Sequence, residues 1–401
     1  MALSLRFLVA CSLLSASSWL YASDCFILVH GHSHDGSIKQ NAWDYWYQTD
    51  MDYLDGRVPR DLIADLTGGI SHFGIVGYNA LDGQGAYWDP RVAGSVAEQI
   101  IAISNGEGDS LSHDRQCRSD DDIYVVAHSR GAQVMAYIAG NADPSDPYYN
   151  TTISAAFSQA TMQGSHKHCD YAISSEFTTC YYQQVDTGNM ENAFSLDSLQ
   201  QKGRFDEAMS RVIAIFSLSG AINGTQGVDR LCNGTWLDKA LLGLMYGDRQ
   251  CADVASLQTL AIYNPSTYTG ASLRTPMFLL GGTGSFPFPL SLTSTKLNGE
   301  DDGFVNLASQ MNCAGSAKRE LEANLSEYRY WRRYFTCDNQ HKRHVQSTYN
   351  LLITNDDHDS SRNMAKDVRQ RQVADMPTCG GTAGGMALAI KSCIGTLSSG
   401  E

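Results

Sequence analysis

Apolar residues along the chain gather into short runs rich in β-branched and aromatic side chains, separated by stretches with helical spacing. Phe26-Ile27-Leu28-Val29 is such a run, ends in His30-Gly31, and predicts a buried strand that delivers the chain to a loop. Ile75-Val76-Gly77-Tyr78 predicts a second strand. A helix should follow over 91–104, where Val92, Val96, Ile100 and Ile101 recur at near-helical spacing. Ile123-Tyr124-Val125-Val126 predicts a third strand that runs directly into a helix through Gln133 to Ala139. Later strands are expected at 212–218 and 276–280, and Leu351-Leu352-Ile353-Thr354 is strand-like. Strands alternating with helices predict an α/β fold with a mostly parallel central sheet and helices on both faces. Neither an internal repeat nor a linker divides the chain, so residues 24–401 are expected to form a single domain. The polar stretch at about 143–204 reads as an insertion into it.

Composition narrows the class. A hydrophobic share of 43% over 401 residues excludes general disorder. Residues 1–23 carry one charge, Arg6, then an apolar run from Phe7 to Leu20 broken by serines, then small residues, which is the pattern of a signal peptide. The run is shorter than the roughly 20 residues needed to span a bilayer. Leu8-Val9-Ala10-Cys11 also resembles a lipoprotein cleavage box, but little apolar sequence precedes it. A secreted protein, extracellular or periplasmic, without a transmembrane segment after cleavage, is the expectation. Ten of the 11 cysteines lie beyond the leader, none in a CxxC pair. In an exported chain this favours disulfides over zinc or dithiol redox chemistry. Sequence neighbours suggest Cys169 with Cys180, Cys232 with Cys251 and Cys379 with Cys393, although order alone does not determine connectivity. The formal charge of −14, one unit more negative without Arg6, and the lack of a basic cluster argue against a nucleic-acid partner. Sequons at Asn150, Asn223, Asn233 and Asn324 would matter in a glycosylating host.

The segment richest in chemical meaning is Val125-Val126-Ala127-His128-Ser129-Arg130-Gly131, where a strand meets a helix across a turn centred on serine. Such a nucleophile elbow exposes the serine oxygen at the tip of a strained turn. Side chains two residues before and after the serine would collide with neighbouring elements, and Ala127 and Gly131 are small enough.

Together with three further segments in order, this elbow resembles the α/β-hydrolase family, and more closely its secreted bacterial lipases and esterases. Leu28-Val29-His30-Gly31-His32 is similar to the family's oxyanion loop. Ser219-Gly220-Ala221-Ile222-Asn223-Gly224-Thr225 is similar to a family strand-end segment, and Glu300-Asp301-Asp302-Gly303-Phe304-Val305 to the segment holding the acid. The resemblance implies a triad of Ser129, Asp302 and His358, with the backbone amides of His32 and Arg130 as oxyanion donors. Asp302 is preferred to Asp301 because it stands immediately before the glycine. His358 is preferred to His341 and His344, which sit in a charged run. The reaction implied is carboxylic ester hydrolysis on an ester or lipid substrate, with no cofactor. Lipases of this kind frequently hold a structural calcium near the histidine loop, but the spacing of Asp356, Asp357 and Asp359 does not reproduce the family's ligand pattern. Trp236, Leu237, Ala240, Leu241, Leu244 and Met245 repeat at helical spacing between Cys232 and Cys251. A lid over 232–251, with transient contact at a lipid interface, is one reading, and an ordinary packed helix is the other. Trp43, Tyr45, Trp46 and Tyr47 either line the acyl pocket or belong to the core.

Two alternatives differ in class. His30, His32 and His34 alternate after a strand, as in metallohydrolases. A non-catalytic secreted binding protein on a hydrolase scaffold is the second. Within the enzymes, the motifs do not choose among lipase, esterase, phospholipase, polyester hydrolase, acyltransferase and thioesterase.

Overall fold

The computed structural model describes residues 23–31, 42, 45–46, 72–78, 90–107, 116–140, 142, 205–246, 275–286, 292, 294, 297, 300–312, 317–322, 332–337, 348–353, 358, 390, 393–395 and 397. The stretches expected to form the leader, 1–23, and the insertion, 143–204, lie outside them apart from Ser23.

Six strands form one sheet: β1 (Asp24–Val29), β2 (His72–Val76), β3 (Asp122–His128), β4 (Val212–Leu218), β5 (Met277–Gly281) and β8 (Thr348–Ile353). They lie in the order β2-β1-β3-β4-β5-β8. Every neighbouring pair is parallel. The side-chain period of two sends alternate residues to opposite faces. Cys25, Ile27 and Val29 join one buried cluster, while Phe26 and Leu28 join the other. Both faces are thus apolar, which explains why the strands read as continuous hydrophobic runs.

The first face is covered by α1 (Ser95–Ser104), which follows a π-helical turn at Pro90–Gly94, by α2 (Arg130–Gly140), and by residues of the short α5 (Leu307–Gln310). A Cβ at Gly74 of β2 would stand 2.5 Å from Ile103 Cγ2, so this glycine admits α1 close to the sheet. The second face is covered by Ala42, Tyr45, Trp46, Ile390, Cys393 and Ile394. This is the α/β architecture with a parallel central sheet expected from the sequence.

Three local departures from expectation have physical causes. β2 ends at Val76 rather than Tyr78, because the Gln99 side chain takes both backbone groups of Gly77, accepting from its N–H at 3.0 Å and donating to its carbonyl at 2.7 Å. β4 carries one residue more than β3 at their start, where Ile123 pairs with Val212 and Tyr124 with Ala214. Ile213 is the extra residue, and it is turned outward. Finally, β6 (Ala317–Glu322) and β7 (Arg332–Cys337) form an antiparallel pair outside the main sheet. Their charged sequences carry no apolar run that announces a strand.

The helix expected over the lid segment is present as α4 (Trp236–Tyr246), preceded by α3 (Gln226–Asn233). Trp236 is 75% and Leu237 60% exposed. Among the described residues no helix is long and apolar enough to cross a membrane.

At the N-terminal rim of the sheet, Cys25 is disulfide-bonded to Cys117, closing 92 residues of sequence. Cys393 is also disulfide-bonded. The three pairings suggested by sequence neighbours involve residues or side chains outside those described. Replacing both Cys25 and Cys117 by alanine should lower unfolding stability by roughly 2–5 kcal/mol, the usual cost of losing a native disulfide. Denaturant titration of the purified double variant against wild type measures it.

Candidate active site

Parallel strands bring their C-terminal ends to one rim, where an open α/β sheet presents its crevice. In register, Val29 of β1 pairs with Ala127 of β3, His128 with Leu218 of β4, Leu218 with Leu280 of β5, and Leu280 with Leu352 of β8. Ser129 follows β3, Asp302 lies beyond β5, and His358 lies beyond β8.

Ser129 has φ 53, in the left-handed region that costs an L-residue energy. The turn is held from both sides: the Ser129 amide donates to Leu218 O at 3.0 Å, and the Ala221 amide donates to Ser129 O at 3.0 Å. Glycine at 131 is enforced by backbone, since a Cβ there would lie 2.5 Å from His30 O and 2.6 Å from Val29 O. At Gly31 a Cβ would meet Tyr45 Oη and would stand 2.7 Å from Ser129 Cβ. The loop after β1 and the elbow after β3 therefore touch through residues that cannot grow.

Ser129, His358 and Asp302 form one buried chain of hydrogen bonds. His358 Nδ1 is 2.7 Å from Asp302 Oδ2, and His358 Nε2 is 2.9 Å from Ser129 Oγ. A carboxylate accepts, so Nδ1 carries the ring proton and Nε2 is left to accept from the serine hydroxyl. The other oxygen of Asp302 accepts from the amides of Phe304, at 3.0 Å, and Val305, at 2.7 Å. Its carboxylate is fully buried yet accepts at both oxygens. The neighbouring Asp301 instead accepts from Ser294 Oγ at 2.6 Å and from the Gly303 amide at 2.8 Å, bracing the turn. Burial raises the Asp301 pKa, with those two hydrogen bonds opposing.

The Asp302 loop hangs on side chains that sequence reading left without a role. Thr225 Oγ donates to Phe304 O at 2.5 Å and accepts from the Gly227 amide at 3.2 Å, so one hydroxyl caps α3 and tethers the loop. Gln310 bridges β5 and the loop, accepting from the Gly282 amide at 2.7 Å and donating to Val305 O at 2.7 Å. Ser309 Oγ accepts from the Asn223 amide at 3.0 Å and donates to Gly224 O at 2.6 Å. The sequon at Asn223 is thus part of this packed junction, with Asn223 and Thr225 both buried.

Arg130 opens α2 immediately after Ser129, which puts its amide in the first turn of a helix, where N–H groups have no intrahelical acceptor. His32, the other expected oxyanion donor, lies outside the described residues, as do His34 and the aspartates flanking His358. Among the described residues no three His, Cys, Asp or Glu side chains converge as a metal site. His30 is sealed in the core: Nδ1 donates to Gly31 O at 2.7 Å and Nε2 accepts from the Tyr78 amide at 3.2 Å. A metal would have to displace that amide to reach the Nε2 lone pair. Burial, helped by the Arg130 charge, lowers the His30 pKa to about 4. Tyr45 and Trp46 of the aromatic cluster are buried on the sheet, while Trp43 and Tyr47 lie outside the described residues.

A second Ser, His and Asp trio sits at the opposite rim. Ser23 Oγ, at 3.0 Å, and Asp121 Oδ2, at 2.6 Å, both meet His72 Nδ1. With both partners on one ring nitrogen there is no relay through the ring, and the trio ties β1, β2 and β3 together.

No family model matches the chain, and no curated protein matches it. Among solved structures it is similar to the mature form of the Bacillus licheniformis lipase BlEst2, at 15% identity over 85% of this chain and 87% of that one, with a TM-score of 0.40. It is also similar to EstA from Clostridium botulinum, at 12% identity over 87% of this chain and 85% of that one, with a TM-score of 0.38.

Two outcomes are expected from these contacts. Thr225→Val should cost about 1–2 kcal/mol by removing a helix cap and a buried tether at once, read by denaturant unfolding. For His30, the folded pKa of about 4 lies below the ordinary 6.5, so between those values the unfolded chain binds the extra proton. Stability should therefore fall as pH drops from about 6.5 to about 4, by about 3 kcal/mol at most. Asp24 and Asp301, raised chiefly by burial, act with the opposite sign. Thermal melts of wild type and His30→Gln isolate the histidine: the wild type should lose more of its melting temperature over that interval.

Proposed function

We propose that this chain is a secreted serine hydrolase that cleaves carboxylic esters through an acyl-enzyme. The observation that carries the reading is the unbroken chain from Asp302 through His358 to Ser129, at 2.7 and 2.9 Å, on a strained elbow. His358 takes the proton of Ser129 Oγ as that oxygen attacks the ester carbonyl. Asp302 holds the imidazole in the required tautomer and stabilises the imidazolium. The carbonyl oxygen gains negative charge, and the backbone amides of Arg130 and His32 are the donors assigned to it. Collapse of the tetrahedral adduct breaks the bond to the alcohol, which leaves with the proton held by His358. Water then repeats the sequence on the acyl-enzyme, releasing the acid and restoring Ser129.

The Cys25–Cys117 disulfide supports export to an oxidising compartment. The exposed Trp236 and Leu237 at the start of α4 are the residues that would meet a lipid interface. No step requires a cofactor, and His30, held at both ring nitrogens, gives the metallohydrolase alternative little support.

The test is hydrolysis of p-nitrophenyl esters from short to long acyl chains by the disulfide-intact protein, beside Ser129→Ala and an EDTA-treated sample. Ser129→Ala should lose at least about a thousandfold in kcat, while EDTA leaves the rate unchanged. Chain-length preference then separates esterase from lipase. Activity retained by Ser129→Ala and abolished by EDTA would instead establish a metal mechanism, and inactivity on every ester would point to the binding-protein alternative.

A further inference from the structure

We infer that His128, the residue immediately before Ser129, is a positioning residue for His358, and that Tyr45 sets the tautomer in which it works. This rests on the serine-hydrolase reading above. His128 ends β3 and is wholly buried, on the sheet face shared by Tyr124 and Val126. Its Nε2 lies 2.9 Å from the main-chain carbonyl oxygen of His358. A carbonyl only accepts, so Nε2 carries a proton. In the neutral ring Nδ1 is then an acceptor, and the Tyr45 hydroxyl donates to it. Rings close the pocket around this contact, with His358 4.8 Å and Trp46 6.5 Å from His128 between centroids.

The main chain of the base is therefore held at both polar groups. The His358 amide donates to Asp302 O at 2.8 Å, and its carbonyl accepts from His128. The imidazole hangs between these anchors. One belongs to the acid, and the other is covalently adjacent to the nucleophile. A shift of the β3 end then carries Ser129 and the anchor of His358 together, which preserves the 2.9 Å contact between them. Tyr45 belongs to the same wall, since a Cβ at Gly31 would meet both its hydroxyl and Ser129 Cβ.

The test compares kcat and KM on one p-nitrophenyl ester for wild type, His128→Asn, His128→Gln and Tyr45→Phe. Active sites are counted with a fluorophosphonate that phosphonylates Ser129. Glutamine sets an amide N–H near the place of Nε2, whereas asparagine is one carbon too short to reach the His358 carbonyl. His128→Asn should lose roughly tenfold to a hundredfold in kcat, as small misplacements of a reacting group do. Its KM should stay within about twofold of wild type, because ground-state binding is untouched. His128→Gln should recover to within about threefold of wild type in kcat, with Tyr45→Phe falling between the two. Equal kcat for the Asn and Gln variants, or a loss confined to KM or to the number of folded sites, overturns the positioning role. Should His128→Asn fail to fold, an unchanged kcat in Tyr45→Phe does the same. A wild-type protein that the fluorophosphonate does not label removes the hydrolase reading itself, a failure distinct from labelled wild type with unaffected variants.

Discussion

The left-handed turn at Ser129 is the constraint on which the rest of the site depends. An L-serine at φ 53 does not hold that conformation unaided. It persists because β3 is clamped between β1 and β4 along its length, and because the elbow exchanges hydrogen bonds with Leu218 and Ala221 at the end of β4. The price is paid in side-chain freedom around it: Gly31 and Gly131 have no room for a Cβ against the atoms they face. Strain at the elbow is thus supported by a sheet whose two buried faces leave the strands little latitude to move.

Around that turn Asp302 and His358 are held by different means. Asp302 is fixed by amides of its own loop, and the loop by Thr225 and Gln310 from two other elements. His358 is fixed through its main chain, which meets the carbonyl of Asp302 and the ring of His128. Each group is oriented by neighbours that are themselves hydrogen-bonded and buried. Precise placement of reacting groups requires this kind of support.

The sheet was legible because its strands are buried on both faces and so appear as unbroken apolar runs, as in Phe26 to Val29 and Ile123 to Val126. The elbow was legible because steric demand restricts residue types on both sides of the serine. The choice of Asp302 over Asp301 followed the position of Gly303, whose φ of 94 lets the loop turn so that the two carboxylates face different partners. What stayed hidden depended on contacts across long stretches of sequence. Tyr45 and His128 are 83 residues apart, and Thr225 and Phe304 are 79 apart. Only folding shows that such pairs meet. The charged hairpin of β6 and β7 was invisible for the opposite reason, since its sequences lack the apolar pattern by which strands are recognised.

The distance along the chain from Ser129 to its partner also has a temporal meaning. Ser129 and His358 are separated by 229 residues. At translation rates of 5–20 residues per second, the serine would wait roughly 10–50 s for its base to be made. Through that interval β1 to β4 can already pair and shape the elbow, while the partner of the Ser129 hydroxyl is still to be made. On the proposed mechanism, a nascent chain that has not yet reached His358 is chemically silent, however complete its elbow.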